Sequence, residues 1–383
     1  MNDVLKRLGR MPVAEFMRTT WQRRPRLIRN ALPALAAPVT RDALFALARR
    51  DDVESRLVTC FGGRWSLGHG PFGARALPSP RRAGWTLLVQ GVDLHVPAAE
   101  ALRERFRFVA DARLDDVMVS WASDGGGVGP HVDSYDVFLL QAQGRRRWRI
   151  SRQRDLGFVD GLPLRILADF RPTHEWVLEP GDLLYLPPGV AHEGTALGGD
   201  CITCSIGFRA PAFQELLDPW FDVLAERARL GGQYRDPGLE PTAHPARLPA
   251  AMIEAAHAAL ARVRPTHEDS TRALLTLLSE PKPQVSFEAP VQPLSPAAFA
   301  RRAAQAGLRA DPRTRMLYAG NAFAINGELH TAPAAARRLL ARLADRRRLP
   351  GADCVRLDAA LPALLHGWYG AGWLHPDRAA GRA

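Results

Sequence analysis

Two histidines and one aspartate stand at spacings that suit metal chemistry. The segment Gly129-Pro130-His131-Val132-Asp133-Ser134-Tyr135 leads into the apolar run Asp136-Val137-Phe138-Leu139-Leu140. In a strand, residues i and i+2 face the same way, so His131 and Asp133 present an imidazole and a carboxylate side by side. Far along the chain, Glu179-Pro180-Gly181-Asp182 opens a second apolar run, and Pro187-Pro188-Gly189-Val190-Ala191-His192 closes it. That pattern is a strand between two turns, and it delivers another histidine. Two His and one carboxylate hold Fe(II) on one face and leave the opposite face open to a co-substrate and O2. The same ligands suit Zn or Mn with no redox role, and a metal-free sandwich with a hydrogen-bonded His131 is the bland alternative.

A co-substrate that reduces O2 must be held beside the metal. The run Gly144-Arg145-Arg146-Arg147-Trp148-Arg149-Ile150 follows the first apolar segment, and a hairpin between the two is expected. Alternation puts Arg146 on the face of Trp148, which wants burial, and turns Arg145, Arg147 and Arg149 to the outer face. A buried guanidinium needs an anionic partner, and a dicarboxylate supplies one through a forked contact.

Short β-rich runs surround these groups: Trp85–Gln90, Asp116–Ser120, Asp136–Gln141, Arg146–Ile150, Leu183–Leu186 and Ile202–Phe208, with Gly and Pro between them. Such a series predicts an antiparallel sandwich or barrel. Residues 1–60 read as a mixed, mostly helical extension, so the first domain is drawn as 1–211. Residues 212–279 read as helical, Glu280-Pro281-Lys282-Pro283 as a linker, and 285–383 as a winged-helix-like module with an Asn326-Gly327 hairpin.

The glycine run 125–129 matches no phosphate-cradle spacing and reads as a loop that lets a peptide backbone approach the site. Cys201 and Cys204 point to opposite faces of a strand, so they read as core residues and not as metal ligands.

Composition sets the outer limits. The 383 residues are 46% hydrophobic and 24% charged, a globular balance. No apolar run approaches the roughly 20 residues of a bilayer span, and the first seven residues lack an apolar signal core. Four scattered cysteines make no disulfide framework. The expectation is a cytoplasmic protein with no membrane contact. The net charge is +11, yet only Lys6 and Lys282 are lysines among 51 cationic residues. This arginine bias reads as genome composition as much as function, and it is compatible with incidental contact to ribosomal RNA.

Further blocks carry a family likeness: Ser55-Arg56-Leu57-Val58, Gly68-His69-Gly70-Pro71-Phe72, Asp115-Asp116-Val117-Met118-Val119-Ser120 and Ser205-Ile206-Gly207-Phe208. With the two histidine segments, they make the chain resemble the JmjC-type 2-oxoglutarate oxygenases, and among them the bacterial ribosomal oxygenases. The resemblance implies a mainly β protein with helices, built on a double-stranded β-helix of the cupin or jelly-roll kind. It implies Fe(II) on His131, Asp133 and His192, 2-oxoglutarate anchored by Arg146 with Ser120 nearby, and O2 as oxidant.

It further implies 3-hydroxylation of an arginine in a large-subunit ribosomal protein, and a homodimer formed through 212–279. A guanidinium substrate needs an acid. Asp124 is the first candidate, with Asp136 and Glu193 behind it, and Tyr135 is placed to stack on the same side chain. Other readings are a JmjC oxygenase that hydroxylates another protein, demethylates N-methyl-lysine or acts on RNA, and a non-catalytic sandwich that binds nucleic acid.

Overall fold

The computed structural model describes residues 4–33, 35–355 and 361–377. The chain divides into two compact units: one holds the residues up to Ala210 together with Lys282–Phe287, the other Pro211–Pro281 and the chain from Glu288 onward.

The first unit is built on a ten-stranded sheet. Its strands are β1 (Arg26–Ile28), β2 (Ser55–Phe61), β3 (Arg64–His69), β4 (Trp85–Val89) and β5 (Leu114–Ala122), then β6 (His131–Val132), β7 (Asp136–Ser151), β8 (His174–Leu178), β9 (Leu183–Leu186) and β10 (Ala191–Phe208). The spatial order is β1-β9-β7-β10-β5-β4-β2-β3, with β8 beside β7 and β6 beside β10.

The two long strands organise the barrel. Residues 137–143 of β7 pair with 202–207 of β10, whereas 145–151 pair with 191–197, and the register shifts between Leu197 and Ile202. At that break Gly144 and Gly198 take left-handed backbone angles. A shift of this kind bends both strands. Each therefore serves two sheet faces: the first half of β7 borders β9, and its second half borders β8. This is the double-stranded β-helix. The expected hairpin between Asp136–Gln141 and Arg146–Ile150 is replaced by one 16-residue strand, because Gly144 accommodates a bulge where the sequence suggests a turn.

Apolar residues fill the interior. Trp85, Trp121, Phe16, Phe106, Phe138, Phe208 and Tyr185 are fully buried, and Trp21 stacks on Tyr185 with ring centroids 5.5 Å apart. Each such side chain contributes about 1.5–3 kcal/mol by leaving water. The N-terminal extension is less helical than expected: helices Val13–Thr19 and Arg41–Leu47 alternate with a small hairpin and β1, and β2 already belongs to the sheet. Cys201 and Cys204 are buried in different apolar clusters, as their spacing predicts.

In the second unit, helices Leu217–Arg227, Ala250–Leu260 and His267–Ser279 precede a three-stranded sheet of Met316–Ala319, Ala322–Ile325 and Glu328–Thr331. Asn326 and Gly327 both take positive φ in the tight turn, as the hairpin signal predicts. Helix His267–Ser279 starts at a Thr266–Asp269 capping box, and its Leu275 packs with Ala322 and Ala324 of that sheet. The winged-helix-like module thus begins before residue 285. Residues 282–287, read as a linker and module start, group instead with the first unit. Among the described residues no helix is long and apolar enough to cross a membrane.

Candidate metal centre and its cavity

Strand register brings the metal-ligand candidates together. His131 in β6 lies directly opposite His192 in β10, and their rings are 4.2 Å apart at the centroids. Asp133 follows two residues after His131 on the same face. Its carboxylate oxygens stand 3.9 Å from His131 Nε2 and 3.6 Å from His192 Nε2. One ligand atom from each residue lies within 4.8 Å of the others.

Backbone contacts orient the three groups. The Gly189 amide donates to the Asp133 carbonyl at 2.9 Å, tying that residue to the turn before His192. His131 Nδ1–H donates to the Gly129 carbonyl and His192 Nδ1–H to the Val190 carbonyl, each at 2.9 Å. This pairing leaves both Nε2 lone pairs aimed at the shared point, the tautomer that a metal requires. Burial pushes the His192 imidazole down to about 4, with His131 adding to the shift and Asp133 opposing it. The ring is therefore neutral at pH 7 and able to bind.

A cavity of about 480 Å³ opens beside these groups, large enough for a small organic ligand. Arg146 lines it and is only 4% exposed. Its Nε and one terminal nitrogen are buried with no hydrogen-bond partner. Its nearest cation–π contact is Trp148, 5.7 Å from the ring centroid. A buried guanidinium left so is costly unless an anion completes it. The donor set and this orphaned cation together fit a metal with an anionic co-ligand. Alternation along β7 holds as the sequence predicts: Arg146 and Trp148 are buried, and Arg145 is exposed. Ser120 also lines the cavity, buried on β5 opposite Thr203.

The expected acids lie elsewhere. Asp124 is exposed and accepts the Gly198 amide at 2.8 Å, outside the cavity lining. Asp136 is buried under the hydroxyl of Tyr185, Gln22 and Arg113. Glu193 is engaged by Arg149 across the strand pair. Tyr135 does line the cavity, 40% exposed.

The acids on the wall, beyond Asp133, are Asp115 and Asp116. Burial pushes Asp116 up to about 6; Lys282 pulls it down, and Asp115 and Asp93 add to the rise. Alternation from Ser120 back through Met118 to Asp116 was the signal that points to it. The glycine loop also has a different role. A Cβ on Gly126 would lie 2.3 Å from the Trp85 carbonyl, and one on Gly127 2.5 Å from that of Gly194. These glycines admit the protein's own strands, not a substrate.

Comparison with known proteins agrees with this geometry. The JmjC domain family matches residues 101–216, and the ROXA-like winged-helix family matches 262–375. The ribosomal protein uL16 3-hydroxylase of Escherichia coli K12 is 41% identical over 234 residues, 61% of this chain and 62% of that protein. The chain thus spans less than two thirds of that curated relative in the sequence match. The crystal structure of E. coli YcfD superposes with a TM-score of 0.83 at 31% identity, covering 97% of this chain and 100% of that one. YcfD in complex with cobalt and 2-oxoglutarate superposes at 0.79, again with 31% identity, over 96% and 99% of the two chains. With its paired histidines, its aspartate and a barrel that matches along nearly its whole length, this chain belongs to the JmjC ribosomal oxygenases.

Proposed function

We propose that the chain is a Fe(II)- and 2-oxoglutarate-dependent protein hydroxylase that 3-hydroxylates an arginine of a large-subunit ribosomal protein. The observation that carries this reading is Arg146, a buried and unpartnered guanidinium on the wall of the cavity that His131, Asp133 and His192 share. The Escherichia coli relative supports it: it is named for uL16 3-hydroxylation, and a structure of it holds cobalt, a stand-in for iron, with 2-oxoglutarate.

His131, Asp133 and His192 hold the metal through Nε2, a carboxylate oxygen and Nε2. Arg146 takes the far carboxylate of 2-oxoglutarate in a forked contact, and Ser120, which lines the same cavity, adds a hydroxyl. When bound, Fe(II) and 2-oxoglutarate use O2 to insert one oxygen atom into a C–H bond, the other leaving in succinate alongside CO2. The chain supplies geometry and dryness. Asp115 and Asp116 receive the substrate guanidinium, with Tyr135 beside it, so that one side-chain carbon is held toward the metal. Trp148 and the apolar barrel keep water from the reacting atoms.

A second copy of the chain is the partner proposed for the exposed apolar residues Phe221, Ile253 and Leu260 of the 212–279 helices. A cytoplasmic workplace beside ribosomal RNA accords with the substrate and the arginine excess.

The test is incubation of the protein with Fe(II), 2-oxoglutarate and fragments of large-subunit ribosomal proteins. The expected product is succinate together with a fragment heavier by one oxygen atom on an arginine. Loss of a methyl group instead, or oxygen on another residue type, overturns the substrate assignment; no succinate with any fragment overturns the reading as a whole.

A further inference from the structure

Lysine is nearly absent from this chain, so the position of Lys282 is informative. It is one of two lysines among 51 cationic residues. It opens the Lys282–Phe287 segment, which belongs to the first unit although the residues on both sides belong to the second. Its ammonium stands 3.0 Å from Asp115 Oδ2 and 3.1 Å from Asp116 Oδ2, the two acids of the cavity wall.

Neighbouring residues in a regular strand point to opposite faces, so one cation does not normally reach both. Here the register between β5 and β10 shifts: Val117 pairs with Ile206 and Leu114 with Phe208, leaving Asp115 and Asp116 together opposite Gly207. A bulge re-aims side chains in this way. A Cβ added at Gly207 would come within 3.7 Å of Asp116 Oδ1 and 4.0 Å of the Asp115 Cβ, so both acids lie over that residue. The Gly91 amide also donates to Asp116 Oδ2, at 2.9 Å.

Two adjacent carboxylates repel one another unless a cation lies between them. An ammonium is a compact charge with three donors and can serve two separate oxygens from one atom. A guanidinium can also span two acids, as Arg107 does between Glu104 and Asp111, but it does so from separate nitrogens of a wide planar fork and not from one atom. Lys282 therefore stands where two carboxylate oxygens converge on a single point charge.

We propose that Lys282 is a positioning residue for substrate recognition, holding Asp115 and Asp116 together on the cavity wall so that they accept a cationic side chain. The inference rests on the reading of the substrate as an arginine. It adds that selectivity for that cation depends on the 282–287 segment, outside the barrel strands.

The test compares binding of two peptides to the full-length protein loaded with Mn(II) and 2-oxoglutarate. One peptide carries arginine, and the other carries citrulline, its neutral near-isostere, at the same position. Wild type is expected to favour arginine, and Lys282→Met to lose about ten-fold of that preference while its 2-oxoglutarate affinity is unchanged. Lys282→Gln keeps a donor without the charge; it is expected to fall between the two and serves if Lys282→Met does not fold. Full arginine preference in whichever variant folds overturns the inference alone. No arginine preference in wild type overturns the arginine reading and the inference with it, whereas a merely structural Lys282 lowers Tm and leaves the ratio of the two affinities where it was.

Discussion

At Arg146 on the cavity wall a buried guanidinium has Nε and a terminal nitrogen unpaired, whereas elsewhere on the lining Asp115 and Asp116 already share the ammonium of Lys282. Both sides carry charge out of water, but only one is compensated within the chain. The difference matches what each side is proposed to bind. An uncompensated buried cation makes its anionic ligand part of the folded structure, as suits a co-substrate present in every turnover. A compensated acid pair is stable on its own and can wait for a substrate that arrives as part of another protein. The two histidines resemble the first case: their Nδ1 atoms are satisfied by backbone carbonyls and their Nε2 atoms await a partner.

The largest effect comes from removing a ligand. His131→Ala or Asp133→Ala should reduce 2-oxoglutarate turnover to background, because a facial site with two protein ligands no longer holds Fe(II) in an oriented shell. Succinate release measured with saturating iron checks this, and substantial activity in either variant removes that residue from the site. Arg146→Met is next. It should raise the 2-oxoglutarate requirement about 100-fold, in line with loss of a buried charge-assisted pair. Without 2-oxoglutarate, its Tm should equal or exceed that of wild type, because the substitution removes an unpaired buried charge. A fall in Tm with unchanged co-substrate affinity would erase the contrast between the two walls.

The sequence made one wall far easier to read than the other. His131, Asp133, His192 and Arg146 are legible because strand alternation is local: i and i+2 share a face wherever the strand is regular. The barrel itself follows from short β-rich runs between turns. The bulge at Gly144 was not legible, because a glycine between two strand-like runs is equally the mark of a hairpin. Asp116 follows by the same alternation from Ser120 through Met118, but its partner Asp115 escaped, because bringing both acids over one residue takes a register shift against Gly207, on a strand some ninety positions on in the chain. Lys282 escaped because Glu280-Pro281-Lys282-Pro283 has the composition of a linker, and nothing local says that such a segment returns to the barrel.

Asp124 gives the smallest expected effect and tests whether the acid wall has been correctly identified. By sequence it was the foremost candidate to meet a substrate guanidinium, since it sits just before the glycine run that leads to His131. In the fold its Oδ1 accepts the Gly198 amide at 2.8 Å on the outside of the barrel, at the bend of β10, and its own carbonyl accepts the Gly84 amide at 2.8 Å. Both contacts are those of a loop support. Asp124→Ala removes one exposed hydrogen bond and should cost about 0.5–1.5 kcal/mol of stability. The peptide KM and the preference for arginine over citrulline should stay within about two-fold of wild type, a factor worth only about 0.4 kcal/mol. If that preference collapsed instead, the guanidinium would be bound at the loop, and the Lys282-clamped pair would be a structural feature of the wall.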